Sequence, residues 1–398
     1  MKTIKLSDVS SLITKGTTPS SIGHAFSSEG VNFVKAESIT NTKFLDSGKF
    51  DHISDETHKK MLRSQLQEKD LVVTIAGHLG RFGVVDKAHL PANTNQAVGI
   101  VRPKHSLVNV DYLYYYFTQD HLQTYIRQQS AQSVQANLNL ELLGNLEFIG
   151  WNLDTQKKIA HVLSGFDDLI QVNIELISKL EEFLEGLFYR WFLEFEFPNI
   201  EGLPFKEAGG ILISDNRTNR GIPEGWRMTS IGEMCEIYQP ETISGADLID
   251  NGDYKVFGSN GVIGFYNRFN HEDPEVVVSC RGDCGNVFWT TENSWITGNA
   301  MVFKPRDSWM SKEYVLRNLR IMNLKNIVTG TVQGQITRNN VSGLTILQPN
   351  EELMKMYASI TDPINELIRE ASDAVERLNR NRHELAPLLI SGVIKSTI

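Results

Sequence analysis

Four blocks of this chain recur in the same order roughly 200 residues further on, and an internal duplication constrains a fold more tightly than any local pattern. The segment SVQANLNLELLGNLEFI (133–149) lies on TVQGQITRNNVSGLTIL (331–347) at an offset of 198. The offset pairs Val134 with Val332, Gln135 with Gln333, Leu146 with Leu344 and Phe148 with Ile346. Upstream, DLVVTIAGHLGRFGVV (70–85) matches EVVVSCRGDCGNVFWT (275–290) at an offset of 205, with Gly77 on Gly282 and Gly80 on Gly285. A strand-like segment ending in proline follows each, NQAVGIVRP (95–103) and GNAMVFKP (298–305). Solenoid repeats run about 20–50 residues, so this period predicts two copies of a globular domain instead.

The fourth block is a long amphipathic helix. Two seven-residue series interleave along it at alternating steps of four and three, one of Ile159, Phe166, Asn173, Leu180 and Leu187 and the other of Leu163, Ile170, Ile177, Leu184 and Trp191, the spacing of a heptad seam. Val162, Leu169, Leu176 and Phe183 widen the stripe. No proline interrupts Asp154 to Phe197, so the spacing predicts one helix of about 40 residues, roughly 60 Å, seeking a partner helix. Asn173 is either a register-fixing residue or a tolerated polar one. The partner lies 198 residues on: Tyr357, Ile364, Leu367, Ile368, Leu378, Leu385 and Leu389 fall on Ile159, Phe166, Leu169, Ile170, Leu180, Leu187 and Trp191. Thr361, Pro363 and Arg382 depart from the pattern there.

The 398 residues suffice for two or three domains with real cores. There is no run of 18 apolar residues and no apolar stretch in MKTIKLSDVSSLITKG, so a cytoplasmic protein without a membrane span is expected. Cys235, Cys280 and Cys284 form no even disulfide set. Cys280 and Cys284 sit four apart without a second ligand pair, so no metal site is expected. The net charge of −9 is unevenly spread. Residues 1–150 carry 15 basic and 14 acidic side chains, residues 151–197 carry 4 and 9, residues 198–350 carry 14 and 17, and residues 351–398 carry 6 and 8. Near-neutral lobes can hold local basic patches, but a tight grip on phosphate would need charge from a partner.

The loops between the matched strands carry the candidate chemistry. GVNFVKAESI reads as a strand followed by a turn with Lys35 and Glu37, and ISDETHKKMLRSQLQEKD (53–70) as a helix. VDYLYYYFTQDHLQTYIRQQ (110–129) reads as an aromatic core helix. In GHLGRFG, glycines 77, 80 and 83 predict a tight turn that projects His78, Arg81 and Phe82. Arginine suits guanine edges, and an aromatic can stack or touch a thymine methyl. Gln132, Gln135 and Asn137 are amides of the kind that read adenine. A solvated hairpin and a solvated loop are the plain structural readings of these two segments. In the second copy Ser259 and Asn260 sit in a Gly/Ser/Asn turn, CRGDCGN presents Arg281, Asp283 and Asn286, and VQGQITRNN adds Gln333, Gln335 and Arg338. The tips differ while the strands beneath them match.

IAGHLGRFGVV with NTNQAVGIVRP, the block LDTQKKIAHVLSGFDDLIQVNIELISKLEEFLEGLFYRWF, the linker LPFKEAGG…GIPEGW and RHELAPLLISGVI together resemble the specificity (S) subunits of type I restriction–modification enzymes, over essentially the whole chain. The resemblance implies an α+β protein with two tandem target recognition domains, 1–150 and 222–350. Each is followed by a long helix, 151–196 and 351–398, with a linker at 197–221. The helices would pair as an antiparallel coiled coil that spaces the readers and docks partners, through Leu163, Ile170, Asn173, Ile177, Leu180, Leu184, Ile364, Ile368, Leu378 and Leu385. It also implies double-stranded DNA with a bipartite site as ligand, with Lys35, His78, Arg81, Gln135, Asn137, Ser259, Asn260, Arg281, Asp283, Asn286, Gln333, Gln335 and Arg338 as candidate contacts. Methyltransferase (modification) subunits and a restriction/translocase subunit would be the protein partners. S-adenosylmethionine, ATP and Mg would be bound by those partners and not by this chain.

The residues agree with a non-catalytic chain. The sequence holds no GxxxxGK[ST] phosphate loop, no Asn/Asp-Pro-Pro-aromatic motif and no HExxH or GxSxG site. Two rival readings are an enzyme with a non-obvious site and a duplicated coiled-coil scaffold that binds only protein.

Overall fold

The computed structural model describes residues 2–131, 138–214, 221–250, 252–330 and 334–394. The chain divides into two compact units, Met1–Ile174 with Asp373–Ile398, and Glu175–Ser372. Each unit holds one lobe of mixed strands and helices and a segment of each long helix.

The lobes repeat one topology. In the first, an antiparallel sheet runs in the order Ser10–Lys15, Val98–Pro103, Leu71–Thr74, Phe82–Val84. In the second the order is Cys235–Tyr238, Ala300–Pro305, Val276–Ser279, Val287–Trp289. Each lobe adds a three-stranded sheet with one parallel pair: Val31–Val34 beside Ala92–Thr94, and Tyr254–Gly258 beside Trp295–Ile296. Each closes with a two-stranded pair, Thr3–Lys5 with Glu147–Ile149 and Arg227–Ser230 with Thr345–Gln348.

The central strands are continuous apolar runs because both faces are covered. Leu71 and Val73 enter one core while Val72 enters another, and Val276 and Val278 divide from Val277 in the same way. Side chains alternate across a strand, so a run without alternation marks a strand buried on both sides. A buried acid stands just before each strand and is paired: Asp70 with Arg102 at 2.8 Å, Glu275 with Lys312 at 2.9 Å. These acids also lie 205 residues apart.

Two helices differ from expectation. The segment 53–70 forms only a short helix, Asp55–Lys60, capped by Ser54 Oγ on the Thr57 amide. It stops at Met61, whose φ of −97° and ψ of 47° leave the helical region before a 3₁₀ turn, Leu62–Ser64. Met61 is buried against Val31, Phe33 and Ile53, and that packing overrides local propensity. The aromatic segment splits into Val110–Phe117, deeply buried, and Asp120–Ala131.

The central helix spans Leu153–Phe188 and continues as a π turn, Tyr189–Leu193, ending near Phe195 with a φ of 63°. The C-terminal helix spans Glu351–Ile390 without a break at Pro363. The carbonyl that Pro363 deprives of a donor belongs to exposed Ser359, where water can serve it. Asn152 Oδ1 accepts from the Thr155 amide and Asn350 Oδ1 from the Leu353 amide, matching starts 198 residues apart.

Leu163, Ile170, Leu184 and Trp191 are buried, as the heptad requires, and each buried apolar side chain contributes about 1.5–3 kcal/mol. The stripe is narrower than expected: Val162 is half-buried, but Leu169, Leu176 and Phe183 are exposed. Positions flanking an a/d seam point away from it. Asn173 donates to Leu169 O of its own helix at 2.8 Å, so its amide is satisfied locally. In the first unit Ile159 and Leu163 share a core with Ala386 and Leu389. In the second, Phe188 and Trp191 share one with Met354 and Tyr357.

His271 gives the second lobe an acid-sensitive contact. Its ring stacks on Tyr238 at 5.9 Å, Nε2 lies 2.9 Å from the Tyr238 hydroxyl, and Nδ1 lies 2.6 Å from Asn270 Oδ1. Burial, with Lys304 and Lys312 nearby, lowers its pKa from 6.5 to about 4. The neutral ring is thus favoured in the folded state. Its stabilising contribution is present above pH 6.5 and is lost as pH falls toward 4. Urea unfolding at pH 7 and pH 5 should show the second lobe weaker at pH 5, and His271→Gln should shrink that difference. An unchanged difference would assign the acid sensitivity to other groups.

Candidate nucleic-acid interface

The two glycine-rich tips share a set of backbone hydrogen bonds. Thr74 N donates to Arg81 O and Ser279 N to Asn286 O, each at 2.9 Å. Gly80 N donates to Thr74 O and Gly285 N to Ser279 O, again at 2.9 Å. The Thr74 hydroxyl donates to His78 O, and the Ser279 hydroxyl to Asp283 O. Gly77, Gly80, Gly282 and Gly285 have φ between 75° and 96°, the left-handed region that side chains with Cβ avoid. The loop base is pinned the same way in both lobes: Leu138 N donates to Ile75 O at 3.1 Å and Ile336 N to Cys280 O at 3.0 Å.

Two expectations for the first tip are corrected. Phe82 is not projected; it is buried and stacked on Phe117 with ring centroids 5.6 Å apart. It lies within the strand Phe82–Val84, where alternation turns it into the core. Gly83 belongs to the same strand and not to the turn. A Cβ there would stand 2.6 Å from Leu45 Cδ2, so any larger residue would have to displace the Leu45 side chain. His78 is exposed at the tip and Arg81 is half-buried at its edge. Lys35 stands apart, ion-paired with Glu37 and Asp51 at 3.1 Å each. Its pKa is raised, chiefly by the hydrogen bond to Asp51 of the neighbouring strand, so this cation is already engaged within its own lobe. Gln132, Gln135, Asn137 and Gln333 lie outside the described residues.

The second lobe brings most of its candidates together. Asn286 Nδ2 donates to Asn260 Oδ1 and to Asp283 Oδ2, both at 3.1 Å. Arg281 and Gln335 face each other across an antiparallel bridge. Ser259 Oγ lies 3.7 Å from where a Cβ on Gly282 would stand. Arg338 is exposed and opens the helix Arg338–Ser342 three residues after Gln335. Beneath the cluster Cys280 donates to Asn299 O at 3.2 Å and Cys284 to Gly334 O at 3.2 Å, so these buried thiols brace the loops. Burial raises both thiol pKa values. Among the described residues no three His, Cys, Asp or Glu side chains gather as a metal site.

One pair of cations was missed in the sequence. The helix carrying Arg127 packs against the first tip through Gln123 and Ile126. Leu324 and the Lys325 backbone pack against Gly285 of the second tip. Arg127 and Lys325 are both exposed, and they lie 198 residues apart. That offset was the signal that could have found them.

One scaffold built twice, with the same loop geometry and different side chains at each tip, defines a two-site recognition protein. The chain matches the family model for the type I restriction modification DNA specificity domain over residues 1–182 and 223–377, and it belongs to that family. It is 21% identical to the type I restriction enzyme MjaIX specificity subunit of Methanocaldococcus jannaschii, over 98% of this chain and 93% of that one. A shorter stretch, 29% of this chain and 24% of the relative, is 26% identical to the type I restriction enzyme EcoBI specificity subunit of Escherichia coli. The fold is similar to the crystal structure of a type I restriction–modification system S subunit from M. genitalium, with a TM-score of 0.58 at 13% identity, covering 98% of this chain and 95% of that one. Among the described residues no helix is long and apolar enough to cross a membrane.

Proposed function

We propose that this chain is the DNA-reading subunit of a type I restriction–modification complex, each lobe recognising one half of a bipartite double-stranded site. The pair of tips carries the reading: matched backbone hydrogen bonds under unmatched side chains, as two half-sites of different sequence require. Arg81 and Arg281 offer guanidinium groups suited to guanine O6 and N7, and Asn260, Asn286 and Gln335 offer amides suited to adenine. Arg127 and Lys325, beside the tips, suit phosphate contacts that position the reader without specifying sequence. The lobes are close to neutral, so partner subunits supply further charge to hold DNA.

The recognition domains are 1–150 and 222–350, the linker 197–221, and the spacing helices 151–196 and 351–398, paired as an antiparallel coiled coil. Supporting this, the start of the central helix shares a core with the end of the C-terminal helix in one unit, and the reverse holds in the other. Leu169, Leu176 and Phe183 of the central helix and Leu367 of the C-terminal helix are exposed. Apolar helix faces of this kind are suited to docking methyltransferase subunits, with a restriction/translocase subunit completing the complex. The chain itself is non-catalytic in this reading. S-adenosylmethionine, ATP and Mg act on the partners.

The test is a map of methylated adenines in DNA from cells expressing this chain with its cognate methyltransferase subunit, beside cells expressing that subunit alone. A split motif present only with both is the expected result. No new motif from a soluble, associated pair would favour a protein-only scaffold.

A further inference from the structure

Each unit buries a polar network that ties its lobe to both long helices, and the two networks are built differently. In the first unit Tyr115, on the lobe helix Val110–Phe117, donates to Asp167 of the central helix. Asp167 in turn pairs with Arg382 of the C-terminal helix. Lys43 of the lobe reaches Ser164 of the central helix at 3.1 Å. In the second unit Arg317, on the lobe helix Lys312–Ile321, pairs with Glu313 at 2.5 Å and with Glu181 of the central helix at 2.6 Å. Arg320 adds a contact to Glu181 at 3.1 Å, and Asn365 of the C-terminal helix donates to Glu313 Oε2 at 3.1 Å. The Asp167 and Glu313 carboxylates are 3% and 0% exposed.

At the duplication offset of 198, Tyr115 corresponds to Glu313 and Asp167 to Asn365. The same two positions therefore face each other in both units with their chemistry exchanged. In the first the lobe donates and the helix accepts; in the second the helix donates and the lobe accepts. Apolar burial is non-directional and tolerates sliding. A buried, hydrogen-bonded charge does not, because any shift leaves it unpaired. Buried ion pairs give little net stability relative to apolar residues of the same volume. Stability alone thus gives no reason for two such networks at corresponding positions, whereas fixed orientation does.

We propose that the two networks are positioning devices: each fixes the orientation of its lobe on the helix segments of its own unit, and together they set the single half-site spacing that the protein accepts. This inference rests on the DNA-reading function proposed above. The test uses the full chain assembled with its cognate methyltransferase subunits. The substrate is a DNA pool in which both half-sites are held constant and the spacer varies by single base pairs, and adenine methylation is read by sequencing. Asp167→Asn and Glu313→Gln keep side-chain shape and remove charge; Arg320→Gln removes only the outer arm of the second network. Wild type is expected to methylate one spacer. Asp167→Asn and Glu313→Gln should keep both half-site sequences while methylation one base pair away from the preferred spacer rises about tenfold relative to it. Arg320→Gln should move the profile in the same direction by about threefold. An unchanged spacer profile, or a loss uniform across all spacers, would overturn the proposal. If the two buried variants fail to assemble, the profile of Arg320→Gln decides. A wild-type complex without any split motif would sink the DNA-reading function itself, an outcome distinct from failure of the positioning role.

Discussion

Glu313→Ala is expected to destabilise the second unit by roughly 3 kcal/mol, the lower end of the range for breaking a buried ion pair. Arg317 is 5% exposed and would lose its 2.5 Å partner, keeping only Glu181. Burial opposes the charge of Arg317, and Glu313 followed by Glu181 outweighs that opposition, so its pKa stands above the ordinary value. Asn365 Nδ2 and Trp289 Nε1 would also lose their acceptor, and each unsatisfied buried donor adds to the cost. Urea unfolding with separate probes for the two units should show the loss confined to Glu175–Ser372. A loss below about 1 kcal/mol, the scale of an exposed ion pair, would mean that water reaches this network.

Arg281→Ala is expected to weaken recognition of one half-site about 5- to 150-fold, the equivalent of roughly 1–3 kcal/mol for a bidentate base contact. Arg281 is exposed on the second tip, beside Gln335 and next to the cluster of Asn260, Asp283 and Asn286. Its effect should fall on the half-site read by the second lobe and leave the other unchanged, because the first tip is built from separate strands. Methylation rates on DNA altered in one half-site at a time separate the two. Equal weakening of both halves would make Arg281 a phosphate contact, with a reduced salt dependence as its sign. It would also count against independent readers.

The duplication, the long helices and the strand pairs beneath the tips were all legible in the sequence, because each depends on periodicity or self-similarity that tolerates many residue choices. The tip residues were legible only in part. His78, Asn260 and Arg281 lie on exposed loops, and turn chemistry announces such loops. Phe82 was misread because the strand begins at Phe82, inside the stretch bounded by the glycines, and alternation along a strand decides which face a side chain takes. Lys35 was read in a turn with Glu37, and its second partner, Asp51, was not legible because it lies 16 residues on, across a sheet. Arg127 and Lys325 were overlooked although the offset of 198 links them, since helix residues do not advertise which loop they pack beside.

Sequence by itself determined that this chain is one domain plan used twice, with a long helix after each copy and different loop chemistry at each tip. Those are properties of local pattern, carried by repeated spacing of glycines and apolar residues. Only the tertiary structure decided which charges are spent inside the molecule. Arg382 and Thr361 read only as departures from the seam, and nothing in the sequence marked Asp167, Glu313 or Arg317 as buried, yet the Asp167 and Glu313 carboxylates and Thr361 are buried and Arg382 pairs with Asp167. A heptad records which residues are apolar. It does not record which neighbour arrives from 215 positions away, as Arg382 does at Asp167. Burial and pairing are properties of that neighbour, and long-range contacts leave no local period to read.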